Sequence, residues 1–348
     1  MRRLPSRRRL LGWTVLLAAT ALTVRVLLNS QDELLAAADN LSSVQPGWLV
    51  LAVAFEGLAY VCYGAAQRLL FRRGGADVGL APMTAISVVG QAAGNCLPGG
   101  LALTAVVMYR QLRRRGVEDV LTGWVLTVMS VLFMAALALV AIVAIQIAGP
   151  NTPVPGLRTA SLSVVGLVVL AALGGRLLRG HASWGRWGLL VLSLVGRLPI
   201  LRDWLNRRDV DLSFSARALA ARLGTVRLGW RALLVATGLL MLSWLADALV
   251  LGLAFTALGT TPPLRGLLLA YCAGQLAAAL PITPGGLGVV EGSLTLALVA
   301  FGGAEAGTLS AVLLYRLVSF WAILPAGAGC WVGLHRTARS ATTKEGSP

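Results

Sequence analysis

The chain has 348 residues, of which 57% are hydrophobic and only 13% charged. A soluble domain carries about twice that share of charge, so the composition excludes a soluble enzyme and implies an all-α polytopic integral membrane protein. The formal net charge of +16 does not imply a nucleic-acid partner, because the arginines stand in blocks between apolar segments, where the positive-inside rule accounts for them.

In chain order, Met1 to Arg9 is a basic flank before an apolar run, Leu10 to Asn29. Ser6 to Leu11 has the look of a twin-arginine export signal, but a basic flank is what holds a first span in any polytopic protein. Gln31 to Pro46 carries Asp32, Glu33 and Asp39 and no basic residue, so it is expected outside, and residues 1–46 form the first unit. Residues 47–148 form the first repeat. Gly47 to Leu70 spans back to a cytoplasmic block of Arg68, Arg72 and Arg73. Two short arms, Pro82 to Leu97 and Leu101 to Leu112, then surround Pro98-Gly99-Gly100 and end at Arg110, Arg113, Arg114 and Arg115. Arms shorter than the roughly 20 residues of a span, with basic residues at both ends, predict a re-entrant hairpin over 82–112. Leu121 to Ala148 crosses outward.

Residues 149–231 hold a Pro-rich outer turn, a span over Leu157 to Leu178, and an Arg- and Trp-rich segment. That segment reads as interfacial helices on anionic lipid. Its Asp209-Val-Asp211 has a spacing used by sugar-nucleotide transferases, yet it sits beside Arg207 and Arg208 as a solvated charge cluster would. Residues 232–334 form the second repeat: a span over Ala232 to Leu258, a re-entrant hairpin over 264–301, and a span over Thr308 to Leu334. Residues 335–348 are a polar cytoplasmic tail. The expectation is six full spans plus two re-entrant hairpins arranged as an inverted repeat, with both termini cytoplasmic. Of the 30 basic residues only Arg25, Arg158, Arg265 and Arg316 fall outside the cytoplasmic blocks.

The two hairpins share a motif. Gly90-Gln91 leads through small residues to Asn95-Cys-Leu-Pro98-Gly99-Gly100-Leu101, and Gly274-Gln275 leads to Leu280-Pro-Ile-Thr-Pro284-Gly285-Gly286-Leu287. Proline removes a backbone donor and glycine weakens a helix. In lipid such a break is tolerated only where protein or a water-filled cavity covers the freed groups. Broken helices in corresponding positions of two halves are a pointer to a transport site.

Charges inside the apolar segments point the same way. Three acids, Glu56, Asp247 and Glu291, and one base, Arg316, lie in them. At about 1.5 Å per residue, each is roughly 12–16 Å from the outer end of its segment, close to the midplane of a core about 30 Å thick. Intramembrane ionisable residues are functional unless each caps a helix or snorkels. The expected arrangement pairs Arg316 with Glu291 and turns the N-terminal ends at Leu101 and Leu287 toward the same anionic group. Glu56 and Asp247 would favour a cationic head group or carry a proton. Cys62, Cys96, Cys272 and Cys330 have no metal-ligand spacing, and His181 and His335 stand far apart, so no metal and no cofactor are expected.

Pro284 to Glu291, followed by Tyr315-Arg316, resembles the lysylphosphatidylglycerol synthase transmembrane-region family, and Asn95 to Gly100 with Arg110 fits the same pattern. The resemblance runs from about Gly47 to Leu334. It includes the lipid-flipping half of the bacterial multiple peptide resistance factor. It implies a lipid flippase of the bacterial cytoplasmic membrane that binds membrane lipid through Asn95, Pro98, Gly99, Gly100, Arg110, Pro284, Gly285, Gly286, Glu291, Tyr315 and Arg316. The cargo would be a phospholipid or a polyprenyl-linked head group. Synthase members carry a soluble domain after the last span, and the chain ends soon after Leu334, so aminoacyl-lipid synthesis is not expected. The alternative reading is a membrane-embedded enzyme, or an accessory protein working with cell-envelope enzymes, that acts on a lipid phosphate. Gly288-x-x-x-Gly292 and Gly329-x-x-x-Gly333 suit helix packing within one chain or in an oligomer.

Overall fold

The computed structural model describes residues 44–96, 100–149, 229–279 and 283–345. The expected spans at 10–29 and 157–178, the Arg-rich segment with Asp209 and Asp211, and Pro98-Gly99 lie outside these residues. The described residues are helical, with no strand among them. Helices α1 (Pro46–Arg73), α2 (Leu80–Asn95), α3 (Gly100–Arg113) and α4 (Asp119–Ala148) make the first half. Helices α5 (Trp230–Ala257), α6 (Leu264–Ala278), α7 (Val289–Ala300), α8 (Glu305–Arg316) and α9 (Ile323–Glu345) make the second. Among the described residues four segments are long and apolar enough to cross a membrane: α1, α4, α5, and Gly307–Arg336, which joins α8 to α9.

These spans expose as well as bury apolar side chains. Val50, Val53, Val131, Val143, Ile147, Leu234 and Leu249 all face outward. Lipid tails are as apolar as leucine, so apolar burial does not drive helices together there and close packing of small residues does. The inner faces follow that rule: α1 buries Ala52, Ala59, Gly64 and Ala66, and α5 buries Ala236, Ala246, Ala248 and Ala254. The two helices pack along each other, and the Ser243 hydroxyl of α5 donates to the Ala59 carbonyl of α1 at 2.8 Å.

Each half carries an antiparallel pair of short helices. In the first pair Thr104 of α3 donates to the Gly90 carbonyl of α2 at 3.0 Å, and Gly94 meets Gly100 so closely that any side chain on Gly100 would collide with the Gly94 carbonyl. In the second pair Gly274 of α6 faces Leu294 of α7, and Gly266 faces Phe301. The pairs hang from opposite ends of the body. The first follows the C-terminal end of α1. The second follows the C-terminal end of α5, which lies beside the start of α1, where the Gln45 amide donates to the Ala257 carbonyl at 2.9 Å. The packing is reciprocal: α2 leans on α9 of the second half, and α6 leans on α4 of the first. At the Arg-rich end Arg114 meets His335 across 3.1 Å, so the middle of α9 sits beside the α3–α4 turn. The ion pairs there, Arg72–Asp77 at 3.6 Å and Arg113–Asp119 at 3.4 Å, are exposed and contribute little to stability.

The two pairs meet tip to tip. A Cβ placed on Gly285 would overlap the Phe320 ring and lie 3.2 Å from the Asn95 carbonyl oxygen. Gly285 (φ +59), Gly286 (φ +71) and Gly288 (φ +80) all take the left-handed backbone region that favours glycine. Gly100→Ala should therefore destabilise the protein by about 1–3 kcal/mol through overpacking. Gly123→Ala has open space around it and should leave the detergent melting temperature near the wild-type value. Equal melting temperatures for the two variants would contradict the close hairpin packing.

Candidate functional site

The site forms where the break between α6 and α7 meets the end of α8. The Pro284–Gly286 turn and the loop to Gly288 interrupt the helix and leave backbone groups without helical partners. Arg316, the last residue of α8, supplies one of them: its Nη2 donates to the Gly285 carbonyl at 2.9 Å. Its Nε donates to Glu291 Oε1 at 2.6 Å. The other carboxylate oxygen of Glu291 accepts the Gly288 amide at 2.7 Å. Glu291 lies in the first turn of α7, so it also neutralises the positive end of that helix. Phe320 stacks below, 4.4 Å from the guanidinium carbon to the ring centroid. It reaches this position because the chain after Arg316 widens into a π turn, Leu317–Trp321, in which the Ala322 amide donates to the Leu317 carbonyl. Such single π turns are frequent at functional sites.

A second polar group adjoins the first through Tyr315. Asp247 of α5 accepts three hydrogen bonds: Tyr271 at 2.7 Å and Gln275 at 3.2 Å on one oxygen, and Tyr315 at 3.0 Å on the other. Gln275 also donates to the Tyr315 oxygen at 3.2 Å. Glu56 of α1 is buried, its carboxyl faces that of Asp247, and Asp247 in turn feels the charge of Arg316. An aromatic column, Tyr63–Phe133–Trp244–Tyr271, braces this group from α1, α4, α5 and α6.

The four charges singled out in the sequence thus come together, and Arg316 pairs with Glu291. The rest of the expected residues divide. Gly285, Gly286 and Tyr315 belong to the cluster, and the Pro284 backbone opens the turn. Asn95 touches it with its carbonyl, while its side chain accepts from Gln91 at 3.2 Å. Gly100 packs within its own hairpin. Arg110 is exposed in the last turn of α3 and takes no part. Tyr271, Gln275 and Phe320 were not anticipated. Gln275 was visible as half of the repeated Gly-Gln pair, and Tyr271 precedes it by four residues and so shares its face. Phe320 had no signal, because only the π turn brings it round.

The family model described as the lysylphosphatidylglycerol synthase TM region matches residues 9–327. The chain belongs to this family. It is 29% identical over 146 residues to a UPF0104 membrane protein of Methanothermobacter thermautotrophicus, covering 40% of this chain and 43% of that protein. It is 26% identical over 147 residues to the UPF0104 membrane protein MJ1078 of Methanocaldococcus jannaschii, covering 41% of this chain and 62% of that one. The matches thus span about half of each relative's length. Family membership and the apolar helices agree on a multi-pass membrane protein.

Tyr271→Phe and Tyr315→Phe each remove one donor from the Asp247 carboxylate. Each should cost about 1.5–3 kcal/mol, the range for hydrogen bonds to charged groups. Because the two donors serve one acceptor, the double variant should depart from additivity. Denaturation of the single and double variants in detergent checks both statements, and strict additivity would separate the two donors energetically.

Proposed function

We propose that the protein is a lipid flippase that moves a lipid with an anionic phosphate, a phospholipid or a polyprenyl-linked head group, between the leaflets of the membrane. One observation carries this reading. A buried arginine stands where two broken helix pairs meet and is balanced by a single carboxylate. A guanidinium has five N–H donors, and the bonds to Glu291 and Gly285 use two of them. A phosphate matches the carboxylate in charge and in its fit to the planar fork. Exchange of Glu291 for a lipid phosphate on Arg316 would place the head group at the meeting point of the two halves.

The same reading extends to the topology. The short helices have 16, 14, 15 and 12 residues, or about 24, 21, 22 and 18 Å of rise, against roughly 30 Å of hydrocarbon. On this reading two re-entrant hairpins enter from opposite faces beside six full spans, both termini are cytoplasmic, and the two halves are inverted repeats. This is the geometry in which transporters place substrate at the repeat interface. On a background without the native cysteines, a cysteine at Asn95 or Leu287 should resist membrane-impermeant thiol reagents from the face opposite its hairpin's entry. Free labelling from that face would make the pair two spans.

The functional test is reconstitution. Vesicles containing the purified protein should exchange labelled phosphatidylglycerol or a labelled polyprenyl phosphate between leaflets faster than protein-free vesicles. Arg316→Lys keeps the charge and loses the fork, and should slow exchange about tenfold, which corresponds to about 1.4 kcal/mol. Glu291→Gln should also slow it. No acceleration with either lipid class, or wild-type rates in both variants, would refute the reading.

A further inference from the structure

The charges of the cluster do not balance. Glu291 and Arg316 neutralise each other across 2.6 Å. That leaves Asp247 and Glu56 facing one another, and among the described residues no basic side chain other than Arg316 acts on them. The surroundings of the two acids differ. Asp247 accepts from three donors, Tyr271, Gln275 and Tyr315, two on one oxygen and one on the other, which leaves room for a fourth. An arrangement of three donors suits an ionised carboxylate. Glu56 is only 8% exposed, and its Oε2 has no hydrogen-bond partner among the described residues. An ionised carboxylate without a donor in a low-dielectric interior is strongly disfavoured. Two adjoining carboxyls escape that cost by sharing one proton, because both cannot ionise at close range.

The other groups in reach do not supply a counter-charge. On α1 the nearest ionisable neighbour is Tyr60, on α6 it is Tyr271, and on α8 Tyr315 precedes the already paired Arg316. Helix α7 brings only Glu291. Helix α2 has no ionisable residue, and α4 has one, Asp119, at its first position.

We propose that Glu56 and Asp247 form a proton-carrying site, in which Glu56 holds the proton and hydrogen-bonds it to Asp247, and that this proton travels with the anionic lipid. The second half rests on the flippase reading above. A lipid phosphate on Arg316 adds negative charge beside Asp247, which favours the protonated form of Glu56 while cargo is bound. When the cargo leaves, the site is open to water on the receiving side and the proton passes to it from the Glu56 carboxyl. Glu56 then takes a new proton from the side of the next cargo, which restores the protonated resting site. No bond other than O–H is made or broken. Proton and lipid therefore move in the same direction.

Two measurements on the full-length protein separate the two halves. The first needs no transport. In lipid nanodiscs at neutral pH, infrared spectra of the wild type should show the carbonyl stretch of a protonated carboxylic acid. The band should be lost in Glu56→Gln and be kept, at a shifted position, in Glu56→Asp, which guards against misfolding of the first variant. A wild type without this band, or a band unchanged by both substitutions, overturns the proton site. The second measurement uses vesicles with a pH difference across the membrane. Movement of labelled phosphatidylglycerol out of the leaflet facing the acidic side should be faster than at equal pH, and the difference should vanish in Glu56→Gln. Lipid exchange that ignores the pH difference overturns the coupling and leaves the flippase reading standing. Absence of any lipid exchange removes the flippase reading and the coupling with it, while the infrared result still decides the proton site.

Discussion

Backbone groups and charges inside a membrane have no water to turn to, and the protein's interior is built around meeting that constraint at one break. Helix α6 stops before Pro284 and α7 starts after Gly288. The bonds lost there are replaced by two side chains, Arg316 on the Gly285 carbonyl and Glu291 on the Gly288 amide. The two then satisfy each other. Remove either, and both a buried charge and a backbone group lose their partner, which is why a broken buried ion pair costs far more than an exposed one.

The surrounding architecture makes this closure rigid. Glycines allow the turn to take positive φ and let Phe320 lie flat against it. The π turn swings Phe320 beneath the guanidinium. The other hairpin contributes its tip, with the Asn95 carbonyl next to Gly285. The twin motifs therefore do unequal work. The second builds the charged turn. The first packs helix on helix through Gly94 and Gly100 and supplies a wall. Their glutamines differ in the same sense, since Gln275 serves Asp247 and Tyr315 while Gln91 serves Asn95.

A buried guanidinium held by one carboxylate lies next to the Asp247 and Glu56 carboxyls. That combination is costly for a purely structural core, and an apolar filling of similar volume is often as stable. Its presence in the middle of an otherwise apolar body is what gives the lipid-transport reading its physical basis, and the imbalance of acids over bases gives the proton reading its own.

Much of the fold was legible in the sequence because lipid imposes simple rules. Apolar runs of span length, arginine blocks and Pro-Gly-Gly breaks placed α1, α4, α5, the α8–α9 span and both short pairs, and counting residues along each run brought Glu56, Asp247, Glu291 and Arg316 to a common depth. Depth says nothing about azimuth. Because the spans are apolar all round, no stripe marks which face turns inward, so the partners could not be read off. Tertiary structure alone decided that Tyr271 and Gln275 hold Asp247, that Phe320 lies under Arg316, and that Arg110, with a charge as strong as that of Arg316, stays at the rim. The physical reason is that hydrophobicity and charge fix how deep a residue sits in a membrane, whereas which residues touch is set by close packing of small side chains, and that depends on the shapes of every helix at once.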